Sequence, residues 1–281
     1  MIIPDFRLLA GILLLASSTS AVAQPKPAAT PQTAPLSWTD WADLVLASPV
    51  ILSATVDDVD RLGRKQAPDV PPGQVRALVT ARLTAALKSP SVLPAAAAWL
   101  WQGEADARGR APFSKALPVL VFGSPMTGGG DPSVQPLRLT AAHAQQPWSG
   151  ASEATVRSIL AEALKPAAQG LMVTAVKDGF HSEGDVPGRS ESQFFLSTEG
   201  GRPLTLVVSR TAGTEPTVRV ATGDLVDRAA PVQRQTLLWR GLACGMPRAL
   251  PASLAANPAL SADYAAARTS IGVCGRTVPQ G

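Results

Sequence analysis

Apolar and polar residues follow two different periods along this chain, and each period predicts a kind of element. Behind Ser37, with Asp40 three positions on, apolar residues recur every three to four positions until Pro49, which predicts a short capped helix. Beyond Pro49 apolar and polar residues alternate, which is the period of half-buried strands. About five such strands are predicted, over residues 50–56, 74–88, 97–102, 118–122 and 134–140. Their glycine- and proline-rich spacing is typical of a small antiparallel barrel or sandwich.

The helical period returns in the second half of the chain. Ser152 is expected to cap a helix whose apolar residues begin at Val156 and which Pro166 stops. Strands are then predicted over residues 171–176 and, as a three-stranded meander, over 193–199, 202–210 and 216–222. A two-glycine turn at residues 200–201 suits the first hairpin of this meander.

Five meander side chains should form one apolar face, which we expect the helix carrying Val156 to cover: Phe194, Leu196, Leu204, Leu206 and Val208. A further helix is predicted to open at Pro231 and to close at Gly245 and Pro247. The alanine-rich tail predicts a last helix over residues 261–268.

Together these elements predict a β-rich α+β fold in two parts. We expect an OB-like antiparallel barrel over residues 36–150 and an α+β domain with an antiparallel meander over residues 151–281. The chain is 46% hydrophobic and only 16% charged, which supplies material for a core and excludes intrinsic disorder.

Short motifs in the first part resemble a known barrel. The early helix with Ala42, the long second strand ending at Lys88 and the closing residues 146–149 are similar to the OB-type barrel of netrin-like modules and tissue inhibitors of metalloproteinases. The resemblance covers roughly residues 40–150 and implies the barrel alone. Those inhibitors bind the protease zinc through an N-terminal cysteine, whereas residues 24–152 contain no cysteine, so protease inhibition is not expected.

A second resemblance spans most of the chain after residue 23. Its motifs are residues 190–198, 236–244 and 246–251, which resemble a group of exported bacterial proteins that carry no assigned activity. The resemblance implies a shared architecture and no particular chemistry.

The N-terminus predicts export. Residues 1–23 combine Arg7, an apolar stretch over residues 8–16 and a small-residue cleavage site ending at Ala23, the pattern of a signal peptide. A membrane anchor is the alternative, but it needs about 20 apolar residues. Residues 24–35 are proline-rich and predict an extended tether. We expect a periplasmic or secreted protein without a membrane span.

Two cysteines, Cys244 and Cys274, lie 30 residues apart. Because exported chains meet oxidising conditions, we predict that they form a disulfide bond. A catalytic thiol is the alternative, which the absence of a histidine near either cysteine disfavours.

Charge and motif spacing exclude several functions. The net charge is +4 with scattered basic residues, which gives no footprint for nucleic acid. The basic stretches 61–65 and 108–115 are either solvated loop charges or contacts for anionic envelope components.

Catalytic motifs are absent from the sequence as well. The only histidines are His143 and His181, so no zinc-binding spacing occurs. The nearest approach to the nucleophile elbow of a serine hydrolase, at residues 123–125, contains a proline. The glycine run 128–130 lacks the Lys-Ser/Thr of a phosphate loop, so no cofactor is predicted.

Two groups of residues remain as candidate binding sites. Trp99 and Trp101 alternate on a predicted strand, where they form either a platform for carbohydrate or part of the barrel interior. The polar segment 178–191 is predicted as a loop, either a plain connection or a partner-contacting surface. Its candidate binding residues are His181, Glu183, Asp185 and Arg189.

The sequence therefore favours an exported, non-catalytic protein that binds an unidentified protein or envelope component. The alternative is a hydrolase that acts on an envelope polymer or ester with residues gathered from distant segments. A deep polar cleft between the two parts of the chain would favour the hydrolase, and a filled barrel with a flat exposed face would favour the binding protein.

Overall fold

A computed structural model describes residues 35–128, 131–222 and 228–278. The predicted signal peptide lies outside the described residues, as does the predicted tether apart from its last residue. Contacts join residues Ala34–Gly281 into one unit.

The first sheet closes into a five-stranded barrel, as predicted. Its strands are β1 (Val50–Arg61), β2 (Gln74–Lys88), β3 (Ala96–Glu104), β4 (Pro118–Pro125) and β5 (Val134–Leu139), with a short β6 (Gln145–Pro147). The order β1-β2-β3-β5-β4 closes because β1 pairs with both β2 and β4. The pair β3–β5 is parallel and the other pairs are antiparallel, an OB-like arrangement.

Alternating side chains fill the interior of the barrel. Inward residues of β1 and β2, among them Leu52 and Val79, pack with Trp99 of β3 and Val121 of β4, and all four are buried. A barrel of this size is wide enough for side chains alone to fill it. The described residues of the barrel therefore enclose a packed core.

Two helices cover one side of the barrel. Helix α1 (Trp38–Ala47) begins at the predicted cap Ser37, and the Ser37 and Asp40 side chains form a capping box. Helix α2 (Gly150–Ala163) is capped by Ser149, three residues before the predicted Ser152, which instead supplies the return hydrogen bond of its capping box.

The expectation that α2 covers the meander is wrong. Val156 and Ile159 of α2 pack with α1 and with Ile51 and Phe122 on the outside of the barrel. The apolar face of a helix shows that the helix must be buried against another apolar surface. It does not show which surface, because the hydrophobic effect is non-directional.

The second sheet is antiparallel and has four strands, the number given by the predicted strand and the three-stranded meander, and the first of them pairs directly with the meander. Its order is β10 (Thr217–Thr222), β9 (Leu204–Thr211), β8 (Arg189–Thr198) and β7 (Val173–Glu183). The five predicted apolar side chains do share one buried cluster. Helices α3 (Leu237–Gly245) and α5 (Pro258–Ile271) cover it through Trp239, Leu242 and Tyr264, and a short α4 (Ala252–Ala255) joins them.

The backbone of helix α3 lies in direct contact with the backbone of the chain at the start of β7. A Cβ atom added to Gly241 would overlap the carbonyl group of Leu171, and one added to Gly245 would overlap Val173. Glycines four residues apart place both gaps on one helix face, so the helix lies directly on the chain beneath it.

The predicted disulfide bond between Cys244 and Cys274 is confirmed. It joins the end of α3 to the tail after α5 and closes a loop with a sequence separation of 30 residues.

Replacing both cysteines by serine should lower the free energy of unfolding by about 3 kcal/mol, because the open chain regains loop entropy. Urea denaturation of the double variant tests this value, and reduced wild type, identified by a mass increase of about 2 Da, should show the same loss. Equal midpoints for all three proteins would contradict the assignment.

The C-terminal tail returns to α1 through two carboxylates. Asp40 accepts hydrogen bonds from the backbone and the hydroxyl of Thr277, the latter at 2.6 Å. Asp43 pairs with Arg240 of α3 and with Arg276 of the tail, whose Nε lies 2.6 Å from its Oδ2. These bonds hold both ends of the described chain together.

Burial would raise the pKa of Asp40, but the hydrogen bonds from Thr277 and Ser37 outweigh it and leave the pKa lowered. A lowered folded-state pKa contributes stability above the unfolded-state pKa, which is lost as pH falls through the folded value. We expect Asp40→Asn to cost about 1.5 kcal/mol at neutral pH and progressively less below about pH 4. Urea denaturation of both proteins at several pH values tests this, and a difference independent of pH would contradict it.

Candidate functional site

The predicted polar loop over residues 178–191 is instead a β-hairpin. His181 and Glu183 lie on β7, Arg189 begins β8, and Asp185 lies in the intervening turn. Strand β7 is the edge of its sheet, so polar side chains are tolerated there and the apolar alternation is weak. The polar composition of residues 178–191 therefore led to an incorrect prediction of a loop.

The hairpin brings His181 into a polar cluster that the sequence did not reveal. Its Nδ1 lies 2.9 Å from Oγ of Ser192, which in turn donates to Oδ2 of Asp263 at 2.5 Å. Arg210 of β9 donates to the other oxygen of Asp263. Nε2 of His181 faces Glu183 at 3.4 Å. We call His181, Ser192, Arg210 and Asp263 the His–Ser–Asp cluster.

The cluster contains the three residue types of a serine-hydrolase triad, but its hydrogen bonds connect them in a different order. In a triad the histidine accepts the serine proton and the acid orients the histidine. Here the hydroxyl of Ser192 donates to Asp263, so His181 meets the oxygen of Ser192 rather than its proton. Ser192 is also fully buried, at 0% exposure, which denies a substrate access. The geometry is that of a structural polar network.

The two candidate tryptophans do not form an exposed platform. Trp99 is 1% exposed within the barrel core, and its Nε1 donates to Oε1 of Gln145 at 2.7 Å. Trp101 is half-buried against Phe113, with ring centroids 5.1 Å apart. Neighbouring indoles on one strand face point inward here because the closed barrel takes that face as its interior.

The two basic stretches meet at one end of the barrel. The amide of Ala105 donates to the carbonyl of Gly73, which joins the loops that contain them. Carboxylates are interspersed among the cations, however, since Lys115 pairs with Asp58 and Arg110 with Asp106. This end is therefore of mixed charge rather than a dedicated anion-binding surface.

A polar cleft of about 900 Å³ lies between α1, the segment after β5, and α3. Its charged and titratable lining residues are Asp40, Asp43, His143, Glu199, Arg240 and Arg276. Two of its carboxylates, those of Asp40 and Asp43, join α1 to the tail after α5 as described above. Thr140, which also lines the cleft, shares a hydrogen bond with Ser48 at 2.7 Å.

A larger groove of about 1060 Å³ runs between the end of α3, α4, α5 and the tail. Its lining includes three arginines, Arg248, Arg268 and Arg276, and contains no aspartate or glutamate. Arg276 pairs with Asp43, whereas Arg248 and Arg268 form no ion pair with any described residue. We call this concavity the arginine groove.

The floor of the arginine groove is apolar. Met246 and Leu250 line it and are partly exposed, above the buried Leu242, Tyr264 and Ile271 and beside the Cys244–Cys274 disulfide. Burial raises the pKa of Tyr264 to about 12, although Arg268 opposes the rise, so the phenol stays neutral and donates to the carbonyl of Pro247 at 2.8 Å.

Neither Arg248 nor Arg268 was predicted from the sequence as a binding residue. Arg248 lies in the motif over residues 246–251 that carries one of the resemblances, and Arg268 closes the predicted last helix. The predicted disulfide was the signal that these segments meet, because it joins α3 to the tail behind α5.

The described residues form neither a metal site nor a membrane-spanning helix. No group of three or more histidine, cysteine, aspartate or glutamate side chains there has an arrangement that could hold a metal ion. No helix in the same residues has both the length and the hydropathy needed to cross a membrane.

The chain matches no protein-family model, and no curated protein shows significant sequence similarity to it. Its function must therefore be argued from the arrangement of its own residues.

Proposed function

We propose that the protein is an exported, non-catalytic binding protein whose ligand site is the arginine groove. The observation that carries the proposal is the charge of this groove, which offers Arg248 and Arg268 without a lining carboxylate. Guanidinium groups without acidic partners favour anions, and an apolar floor beside them favours ligands that are also partly apolar.

The remaining polar groups support binding over catalysis. Ser192 and Asp263 of the His–Ser–Asp cluster are buried, and the hydrogen bonds of the cluster are made within the protein. No buried side-chain nitrogen or oxygen among the described residues lacks a hydrogen-bond partner. Catalytic groups usually keep an accessible partner for the substrate, so this full satisfaction favours a structural role.

The disulfide and the N-terminal pattern support export. A bond between Cys244 and Cys274 persists in oxidising compartments and is rare in the cytosol. It also fixes two walls of the groove, which lowers the entropy lost when a ligand binds.

One observation favours the hydrolase alternative. The polar cleft that contains His143 and Glu199 has room for a substrate. A hydrolase of this kind should lose turnover of a generic ester or envelope polymer when His143 is replaced by alanine, with the fold retained.

The proposal is tested by binding to anionic probes at low and high salt. Poly-L-glutamate and phosphatidylglycerol vesicles are the probes, with phosphatidylcholine vesicles as the neutral control. We expect Arg248→Glu/Arg268→Glu to weaken binding at least about tenfold, which corresponds to losing one charge-assisted contact.

A matched variant, Arg64→Glu/Arg108→Glu, makes the same change in net charge at the exposed end of the barrel. It should leave binding of the anionic probes near the wild-type value. Equal loss in both variants, binding of neither probe by wild type, or turnover that depends on His143 would each contradict the proposal.

A further inference from the structure

We infer that the arginine groove binds an extended acidic peptide segment of a partner protein, with an apolar side chain of that segment seated on the groove floor. The inference rests on the proposed function and specifies the ligand of the same site.

The shape of the groove favours a chain that passes through it. Its volume is about 1060 Å³, and it is open to solvent between α4, α5 and the tail. Small ligands and single lipid chains are held in pockets that bury most of their surface. An open groove of this size instead suits a peptide segment, which leaves one side in water.

The positive charge of the groove favours a segment that carries acidic side chains. Arg268 donates to the carbonyl oxygen of Arg248, which fixes the position of one guanidinium group at the rim. The guanidinium of Arg234 also lies near, with Nη2 3.0 Å from the Cβ position of Gly272 in the groove lining. Arginine binds carboxylates through paired hydrogen bonds, so clustered arginines select acidic motifs.

The floor specifies an apolar anchor. Met246 and Leu250 line the groove and are only partly buried against the core of the second sheet. Methionine adapts its shape to different partners, and a partly buried pair of this kind gains contact area when an apolar side chain covers it. Val273 stands at the rim with 82% of its surface exposed, which extends the same apolar strip.

A membrane surface fits the groove less well than a peptide. Arg248 and Arg268 line a concavity bounded by α4 and α5, and a flat bilayer surface cannot reach the apolar floor of that concavity. Anionic vesicles therefore enter the test as an outcome that would contradict the inference.

The experiment selects peptides from a random dodecapeptide library against the protein without residues 1–23. We expect the enriched peptides to carry at least two acidic residues beside an apolar one. A synthetic peptide of the consensus sequence should bind in fluorescence anisotropy, and Arg248→Glu/Arg268→Glu should weaken it at least about tenfold.

Two further variants keep the result interpretable. Arg248→Gln removes one charge without reversing it and should give a smaller loss than the double variant. Arg64→Glu/Arg108→Glu should leave peptide affinity unchanged. Melting temperatures within a few degrees of wild type establish that each variant folds.

Enrichment of neutral or basic peptides, enrichment of none, or undiminished binding by the double variant would overturn the inference. If anionic vesicles bind through the groove arginines while no peptide is enriched, the inference fails and the proposed function stands. If no anion of any kind binds through these arginines, both fail.

Discussion

Gly241→Ala should lower the free energy of unfolding by about 4 kcal/mol, a large part of the total stability of a typical domain. The new methyl group would overlap the carbonyl carbon and oxygen of Leu171 and approach the amide of Met172. These are backbone atoms of a segment that leads into β7, so they cannot move aside as a flexible side chain would. Relief requires α3 to move away from the sheet, which would open the core that Trp239 and Leu242 fill.

Gly150→Ala is the matched control for this substitution. Gly150 also lies in a helix, and no atom lies within 4 Å of the position its Cβ would take. Alanine is favoured over glycine in helices, so the control should be neutral or stabilising by about 0.5 kcal/mol. Denaturant unfolding of both variants tests the contrast. A loss below about 1 kcal/mol at Gly241 would mean that α3 does not lie against the chain as described.

Asp263→Ala should cost a similar amount, about 4 kcal/mol, because it removes a buried carboxylate that accepts from two donors. Asp263 is 1% exposed and accepts from the hydroxyl of Ser192 and from the guanidinium of Arg210. Ser192 is fully buried and keeps only His181 as a hydrogen-bond partner, whereas Arg210 is 39% exposed on its side chain and recovers part of its solvation. Most of the cost therefore comes from the lost charge-assisted bond of Ser192 and from the space that the carboxylate leaves.

Asp185→Ala serves as the control, since Asp185 lies exposed in the hairpin turn. It should change stability by less than about 0.5 kcal/mol. Replacing both Asp263 and Ser192 by alanine should lower the free energy of unfolding by less than the sum of the two single changes. The double variant also lacks the Ser192 hydroxyl, which loses its charged acceptor when Asp263 alone is replaced. Near-wild-type stability of Asp263→Ala together with loss of a hydrolytic activity would instead make the cluster a catalytic one.

The barrel could be predicted from sequence because its signals are local. Strand β2 alternates inward and outward residues along its length and was predicted over its full range. The Ser37–Asp40 cap of α1 is equally a matter of a few neighbouring residues. Closure of the barrel follows from the strand count and from the need to bury one face of each strand.

Predictions that depended on distant partners were less accurate. The apolar face of α2 was recognised, but its partner was assigned to the wrong sheet, because one apolar face fits another without regard to sequence distance. The hairpin containing His181 was taken for a loop, since an edge strand need not alternate apolar and polar residues. The arginine groove could not be predicted at all, because Arg248 and Arg268 are isolated in sequence and meet only through the fold.

Photocrosslinking in intact cells tests whether the arginine groove is the ligand site of this protein. A photoreactive residue replaces Ala249 in the groove or, as the control, Val92 on an exposed loop of the barrel. We expect a specific adduct from position 249 that disappears when Arg268 is also changed to glutamate, and no such adduct from position 92. Adducts from position 92 alone, or adducts from position 249 that persist with Arg268→Glu, would contradict this expectation.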